Sequence, residues 1–346
     1  MKQAERLQKL LDKTVNGKSI FGATLCVSNM AENTHWQGGA GNLDPLRLHF
    51  IASTTKLLTT AVIYQLADEG RLSIDDKLSK HLPQEDLNGL HVFKGKNYSE
   101  ALTVKHLLAH TSGLPDYFQG KMPSGGSLET ELTQGKDRFW DLQEVLRISK
   151  TMGAKFAPGA PGKALYSDTN FQLLGKIIAL KTASSVGDAY QQRILKPLGM
   201  EQSYLYADPN DQKPLHLYFK SQALHIPKAM CSFGPDGGLV SNAAEMMVFL
   251  RAFFEGKLFD KKHFEGIDQW NRIFFPLHYG VGIARFKVPW IFSPFKRFPE
   301  IIGHSGLSGA FAYYCPAKQL YFTGSVNQIH NPSHSYRMLI QALNLF

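Results

Sequence analysis

The chain opens with an amphipathic pattern from Met1 through Lys13, in which Leu7, Leu10 and Leu11 share one side, and this predicts a helix. Two β-branched or apolar runs follow, Phe21 to Met30 and Thr34 to Gly39, joined by a polar segment around Glu32 and Asn33 that reads as a hairpin turn. The other end of the chain carries a matching set of short strand-like runs: Tyr279 to Lys287, Glu300 to Gly303, Gly309 to Cys315 and Leu320 to Val326. Gly and Pro separate them, and a helical run from Ser335 to Leu345 closes the chain. Between these ends helical periodicity dominates, over Thr54 to Asp68, Val104 to Ala109, Trp140 to Lys150, Asn170 to Thr182, Gly187 to Leu195 and Ala243 to Phe254. Gly70 and Gly256 stand where the first and last of these should stop.

This order predicts one antiparallel sheet built from both termini and flanked by helices, with a mostly helical lobe inserted between its halves. It is an α/β (α+β) architecture of a single domain, with a sheet lobe over about 1–52 and 275–346 and a helical lobe over about 53–274. A cleft between the lobes is the natural place for chemistry.

Composition agrees with a folded chain of 346 residues, 43% of them hydrophobic and 19% charged. The formal charge of +9 is spread along the sequence, with no dense basic run and no recognisable reading helix, which argues against nucleic acid as a partner. Cys26, Cys231 and Cys315 are odd in number and far apart, which predicts free thiols rather than a disulfide framework. No stretch reaches the apolar length of a membrane span, and the first residues lack the core of a signal peptide. A cytoplasmic protein or a processed exported form is expected. The aromatic and basic stretch Phe286 to Phe298, with Trp290, Phe292 and Phe295, offers a loop that packs against the body or makes a peripheral contact with a membrane or cell wall.

In Phe50-Ile51-Ala52-Ser53-Thr54-Thr55-Lys56 a serine stands at the mouth of a helix, and a lysine three residues on shares its face. A serine hydroxyl needs a base to become a nucleophile, and a lysine in a dry cleft serves once its own pKa falls. The same spacing recurs in Ser293-Pro294-Phe295-Lys296, but within a proline-bounded segment that lacks a long helix. Ala164-Leu165-Tyr166-Ser167-Asp168-Thr169-Asn170 follows a Pro-Gly-rich loop and precedes a helix, a setting that presents Tyr166 to a cleft. A phenol beside an ammonium ionises more easily, so Tyr166 is placed to share the base role. In Gly303-His304-Ser305-Gly306-Leu307 glycines at a strand edge let a substrate backbone approach.

Each residue also has a plainer reading. Ser53 would serve as a helix cap, Tyr166 as a core aromatic, Asp168 as a turn or cap residue, and His304 as a strand-edge hydrogen-bonding group. His106 and His110, four apart, match a zinc spacing, but no third ligand accompanies them, so packing or loop tethering is expected and no metal.

Serine and lysine, then tyrosine, then a basic residue with Ser and Gly, in this chain order, resemble the three motifs of the serine β-lactamase-related family: class C β-lactamases, DD-peptidases and related esterases. Leu107-Leu108-Ala109-His110-Thr111-Ser112-Gly113-Leu114-Pro115, Pro197-Leu198-Gly199-Met200 and Gly237-Gly238-Leu239-Val240-Ser241 extend the likeness from about Phe21 to Asn327.

The resemblance implies a β-lactamase/penicillin-binding-protein-like fold and a serine hydrolase needing no cofactor. Ser53 would be the nucleophile, with Lys56 and Tyr166 handling protons. Asp168, His304, Ser305, Gly306 and Leu307 would bind substrate, and the backbone N–H groups of Ser53 and Leu307 would form the oxyanion hole. The partners implied are small-molecule or peptide acyl donors: esters, amides, D-amino-acid peptides or β-lactams. The alternative is a penicillin-binding or cell-wall-sensing protein with little turnover.

Two departures bear on this. Asp168 stands where the family commonly has asparagine, a charge that would hold Lys56 protonated and leave Tyr166 the better base. His304 stands where lysine is frequent, which weakens the anchor for a substrate carboxylate. That favours a DD-peptidase, D-amino-acid amidase or esterase over an efficient β-lactamase.

Overall fold

The computed structural model describes residues 2–29, 35–265, 267, 269–287 and 298–346. The turn around Glu32 and Asn33, the second Ser-Lys pair at Ser293 and Lys296, and the aromatic residues Trp290, Phe292 and Phe295 lie outside the described residues.

An eight-stranded antiparallel sheet is built from both ends of the chain. Its order runs Asn271–Phe274, Leu277–Tyr279, Ala284–Phe286, Ile301–Ser305, Phe311–Cys315, Leu320–Ser325, Gly22–Asn29 and His35–Gly41. The first strand of the chain thus sits between the hairpin strand that follows it and the last strand of the sheet, with Cys26 opposite Thr323.

Alternation along Gly22–Asn29 assigns the two faces. Ala23, Leu25 and Val27 point to a layer formed by Leu7, Leu10 and Leu11 of the N-terminal helix Gln3–Thr14 and by Met338, Leu339 and Leu343 of the C-terminal helix Ser333–Leu343. Cys26 joins the opposite core, where Met246, Met247 and Leu250 of the helix Ala243–Glu255 pack under the sheet. Thr323 donates to the carbonyl of Ala243 at 2.7 Å, so this polar side chain is satisfied where helix meets sheet. Cys26 and Cys315 are buried, Cys231 is half-buried, and all are free thiols.

The helix Lys56–Asp68 is buried on nearly every side, from Lys56 through Leu66 with only Gln65 partly exposed. Its apolar residues surround the helix rather than forming a stripe, the pattern of a helix at the centre of a core. A small three-stranded sheet, in the order His49–Phe50, Leu239–Ser241 and Tyr204–Leu205, ties its entry to a distant part of the chain.

Most of the expected elements are present within a residue or two of their predicted bounds. The run Tyr279 to Lys287 is corrected: it is two strands, Leu277–Tyr279 and Ala284–Phe286, because the chain reverses at Gly280 through Ile283. Gly282 has φ +73° and lies against Thr60, whose hydroxyl donates to the Gly282 carbonyl at 3.0 Å. The predicted helix Trp140 to Lys150 starts later, at Leu142, where Asp141 accepts the Glu144 N–H and caps it. Among the described residues no helix is long and apolar enough to cross a membrane.

Candidate active site

The nucleophile turn is a short 3₁₀ segment, Ala52–Thr55, that feeds directly into the helix Lys56–Asp68. Ala52 has φ +46°, an uncommon conformation for a residue with a Cβ, and the next residue is Ser53. The turn is pinned from the small sheet: the Ile51 N–H donates to the Leu239 carbonyl at 3.1 Å, and the Leu239 N–H donates to the Thr55 hydroxyl at 3.2 Å. Ser53 caps neither helical segment; its side chain faces the cavity instead.

Lys56 is fully buried beneath Ser53. Its ammonium donates to Ser53 Oγ at 3.0 Å and to the Asp236 carbonyl at 2.6 Å, and Asp168 Oδ1 lies 2.6 Å away as its ion-pair partner. Tyr166 lines the same cavity as Ser53, and its ring centroid lies 5.1 Å from Lys56 Nζ. Burial pulls the Lys56 pKa down, but the Asp168 and Asp236 carboxyls outweigh it and hold the pKa above its ordinary value. The balance of these effects favours the ammonium form of Lys56.

Tyr166 does not follow the expected direction. Burial first, then the Asp168 charge, push its pKa well above the ordinary phenol value despite the nearby ammonium. The carboxylate that keeps Lys56 charged also keeps Tyr166 neutral. Asp168 is no cap either: it begins the helix Asp168–Thr182, but its carboxylate is committed to Lys56.

The loop carrying Tyr166 and Asp168 is held by His110, a fully buried residue with φ +56°. His110 Nδ1 lies 3.1 Å from the Ser167 N–H nitrogen and 3.1 Å from Asn170 Nδ2, so it accepts from the loop and from the first helical turn. Its ring packs on Tyr166 with centroids 4.5 Å apart. His106 acts locally, its Nδ1 accepting the Thr103 N–H at the start of its helix. Both histidines are tethers, and no metal-binding cluster is present among the described residues.

The strand Ile301–Ser305 brings the third segment against the nucleophile turn. A Cβ on Gly306 would stand 2.2 Å from the Ile51 carbonyl oxygen, so only glycine allows the approach. His304 is buried, and its Nδ1 lies 2.8 Å from the Ser305 carbonyl. Burial and then the Lys56 charge lower its pKa to about 3. Ser305 Oγ is tied to the Tyr336 hydroxyl, with Tyr313 3.3 Å from both. Among the described residues no backbone carbonyl engages the N–H of Ser53 or Leu307, while Gly306 between them is bonded to Ala310 at 2.7 Å.

Three side chains at this site were not singled out from sequence. Asp236 is buried just before the glycine pair at 237 and 238, its Oδ2 accepting from Tyr117 at 2.9 Å and Gln172 at 3.0 Å. Asp116 is buried in a turn that accepts the Phe118 N–H at 2.8 Å. Burial and the Asp168 charge push both carboxyls well above the usual carboxylate range. Tyr279, on the strand Leu277–Tyr279, stacks edge-on against His110 with centroids 4.4 Å apart. Only a lone acidic residue beside Gly-Gly in an apolar context pointed to Asp236.

Ser53, Tyr166, Asp168, His304, Ser305, Gly306 and Leu307 all line one cavity of about 240 Å³, and Lys56 reaches Ser53 from the buried core behind it. The helix, the loop after a Pro-Gly-rich stretch, and the sheet edge thus converge on one cavity. The family model described as Beta-lactamase matches residues 7–343, and the chain belongs to that family. Protein flp of Staphylococcus aureus (strain MRSA252) is 33% identical over 169 residues, 49% of this chain and 30% of that protein. The chain thus spans about a third of that relative's length. Among solved structures, the D-amino acid amidase from Ochrobactrum anthropi SV3 complexed with D-phenylalanine superposes with TM-score 0.79 at 20% identity, covering 99% of this chain and 98% of that one. A D-stereospecific amidohydrolase from Streptomyces sp. gives TM-score 0.75 at 23% identity, covering 96% and 97%. At these identities the structures speak for the fold.

Proposed function

We propose that the chain is a serine hydrolase that forms an acyl-enzyme on Ser53 and releases the acyl group to water, acting on small esters or amides, D-amino-acid amides among them. The observation that carries this reading is the contact of Lys56 Nζ with Ser53 Oγ at 3.0 Å, made from a fully buried ammonium with an aspartate behind it. Family membership and the names of the structural neighbours, an amidase and an amidohydrolase, support it.

With Lys56 charged and donating to Ser53 Oγ, the acceptor left for the serine proton is the Tyr166 oxygen. Tyr166 takes that proton while passing its own to the departing oxygen or nitrogen, so no free phenolate is required. The bond from acyl carbon to leaving group breaks, the bond to Ser53 Oγ forms, and the leaving group departs protonated. Water then returns along the same relay and frees Ser53. Lys56 holds the charge that steadies the serine oxygen, and the Ser53 and Leu307 N–H groups receive the oxyanion, an arrangement in which one donor is typically worth about 10²–10³ in rate.

A second reading is a penicillin-binding protein with little turnover. Neither Lys56 nor Tyr166 is a free base in the resting site, both being held in their protonated forms, and this favours slow deacylation. One experiment separates the two: intact-protein mass spectrometry with benzylpenicillin, an activated short-chain ester and a D-alanyl depsipeptide, alongside Ser53→Ala. Continuous product release that is lost in Ser53→Ala supports the hydrolase. A single burst with a persistent adduct supports the binder, and neither adduct nor product with any donor overturns both.

A further inference from the structure

Carboxylate-bearing donors such as penicillins and free peptides need a cationic or N–H-rich partner beside the reacting serine, because an unpaired carboxylate in a cleft loses hydration without compensation. Among the described residues that line the cavity there is no lysine or arginine. Among the described residues, the Lys56 ammonium behind Ser53 donates to Ser53 Oγ and to the Asp236 carbonyl and is ion-paired with Asp168, so it is already engaged on the protein side. The residue at the usual cationic position is His304, and its Nδ1 faces the Ser305 carbonyl at 2.8 Å. A carbonyl only accepts, so Nδ1 carries the proton and Nε2 presents a lone pair, buried and without a partner. Burial and Lys56 disfavour a second proton there. Asp168 and Asp236 add two carboxyl groups to the lining of the same cavity.

Most of the remaining lining is apolar. Phe118, Leu132, Leu217, Met230 and Phe233 stand on the helical side, and Leu277 faces them from the sheet.

We propose that this cleft selects acyl donors that are not anionic: esters or amides with an apolar acyl group and no carboxylate beside the scissile bond. The His304 lone pair receives an N–H or O–H of such a donor, and the apolar walls receive its acyl chain. The proposal rests on acylation of Ser53 and narrows it to a substrate class, setting penicillins and free D-peptides among the poor substrates.

The test uses the phenylacetyl esters of 3-hydroxybenzoic acid and 3-hydroxybenzamide, which differ in one charge at the same position. The amide-bearing ester should be turned over with kcat/KM at least tenfold higher, after correction for spontaneous hydrolysis. Within a series of 3-hydroxybenzamide esters from acetyl to hexanoyl, kcat/KM should rise by roughly fourfold per methylene until the cavity is filled. His304→Lys should narrow the gap between the two phenylacetyl esters; if that variant does not fold, the native pair decides alone. Equal or faster turnover of the carboxylate ester overturns the selectivity while leaving Ser53 chemistry standing. Absence of Ser53-dependent turnover with every ester overturns the hydrolase reading and this inference with it.

Discussion

Asp168 decides the protonation of two neighbours at once. Its charge raises the Lys56 pKa against burial, and it raises the Tyr166 pKa together with burial. Replacing the carboxylate with an amide removes the main opposition to desolvation at Lys56, so the folded-state pKa of the lysine must fall. Loss of the ammonium would then begin at lower pH. For Asp168→Asn we expect the alkaline limb of the kcat/KM profile to move down by at least one pH unit, with the Tyr166 ionisation favoured in the same direction. Identical profiles for the two proteins would show that the Asp168 charge does not set the state of Lys56. The sequence carried this much, because an acidic residue next to a known motif can be reasoned about alone. It did not carry the rise at Tyr166, which depends on burial first and then on the Asp168 charge, and burial is visible only in the fold.

At the scale of elements, hydrophobic periodicity made the long helices and the sheet strands legible, because each buries a regular face or core. Pieces held together by a distant partner were not. The strand Asn271–Phe274 at the edge of the sheet and the three-residue strand Leu239–Ser241 gain their definition from pairing across the chain. The same holds for Gly306. Its place in a motif was readable, but the reason for it is the Ile51 carbonyl, 2.2 Å from where a Cβ would stand. Gly306→Ala cannot relax by turning a side chain, since the clash is with backbone, so either the strand end or the nucleophile turn must move. Overpacking of this kind costs about 1–3 kcal/mol. We expect an unfolding free energy lower by that amount, read from a denaturant titration, together with at least a tenfold loss in kcat, the loss arising from displacement of Ser53 relative to the Leu307 N–H. A variant equally active and equally stable would mean that the turn and the strand are not held in contact in solution.

The whole molecule assembles one site from parts remote in sequence: Ser53 from the start of the helical region, Tyr166 and Asp168 from its middle, Asp236 from near its end, and His304 from the sheet. The two regions share a core, in which Cys26, Ala312 and Tyr321 of the sheet pack with Met246, Leu250 and Phe254 of the helix Ala243–Glu255. A boundary drawn along the sequence at 53 and 274 would therefore cut through a continuous apolar cluster rather than through a linker. Melting the helical region would expose the inner face of the sheet, which the helix Ala243–Glu255 covers on that side. We propose on this ground that the chain unfolds as one unit. In a urea titration, loss of hydrolysis, near-ultraviolet circular dichroism and tryptophan fluorescence should fall on one curve. An early transition that abolishes activity while the sheet signal persists would assign the lobes separate stabilities, and would make the cleft between them a hinge instead of a fixed seam.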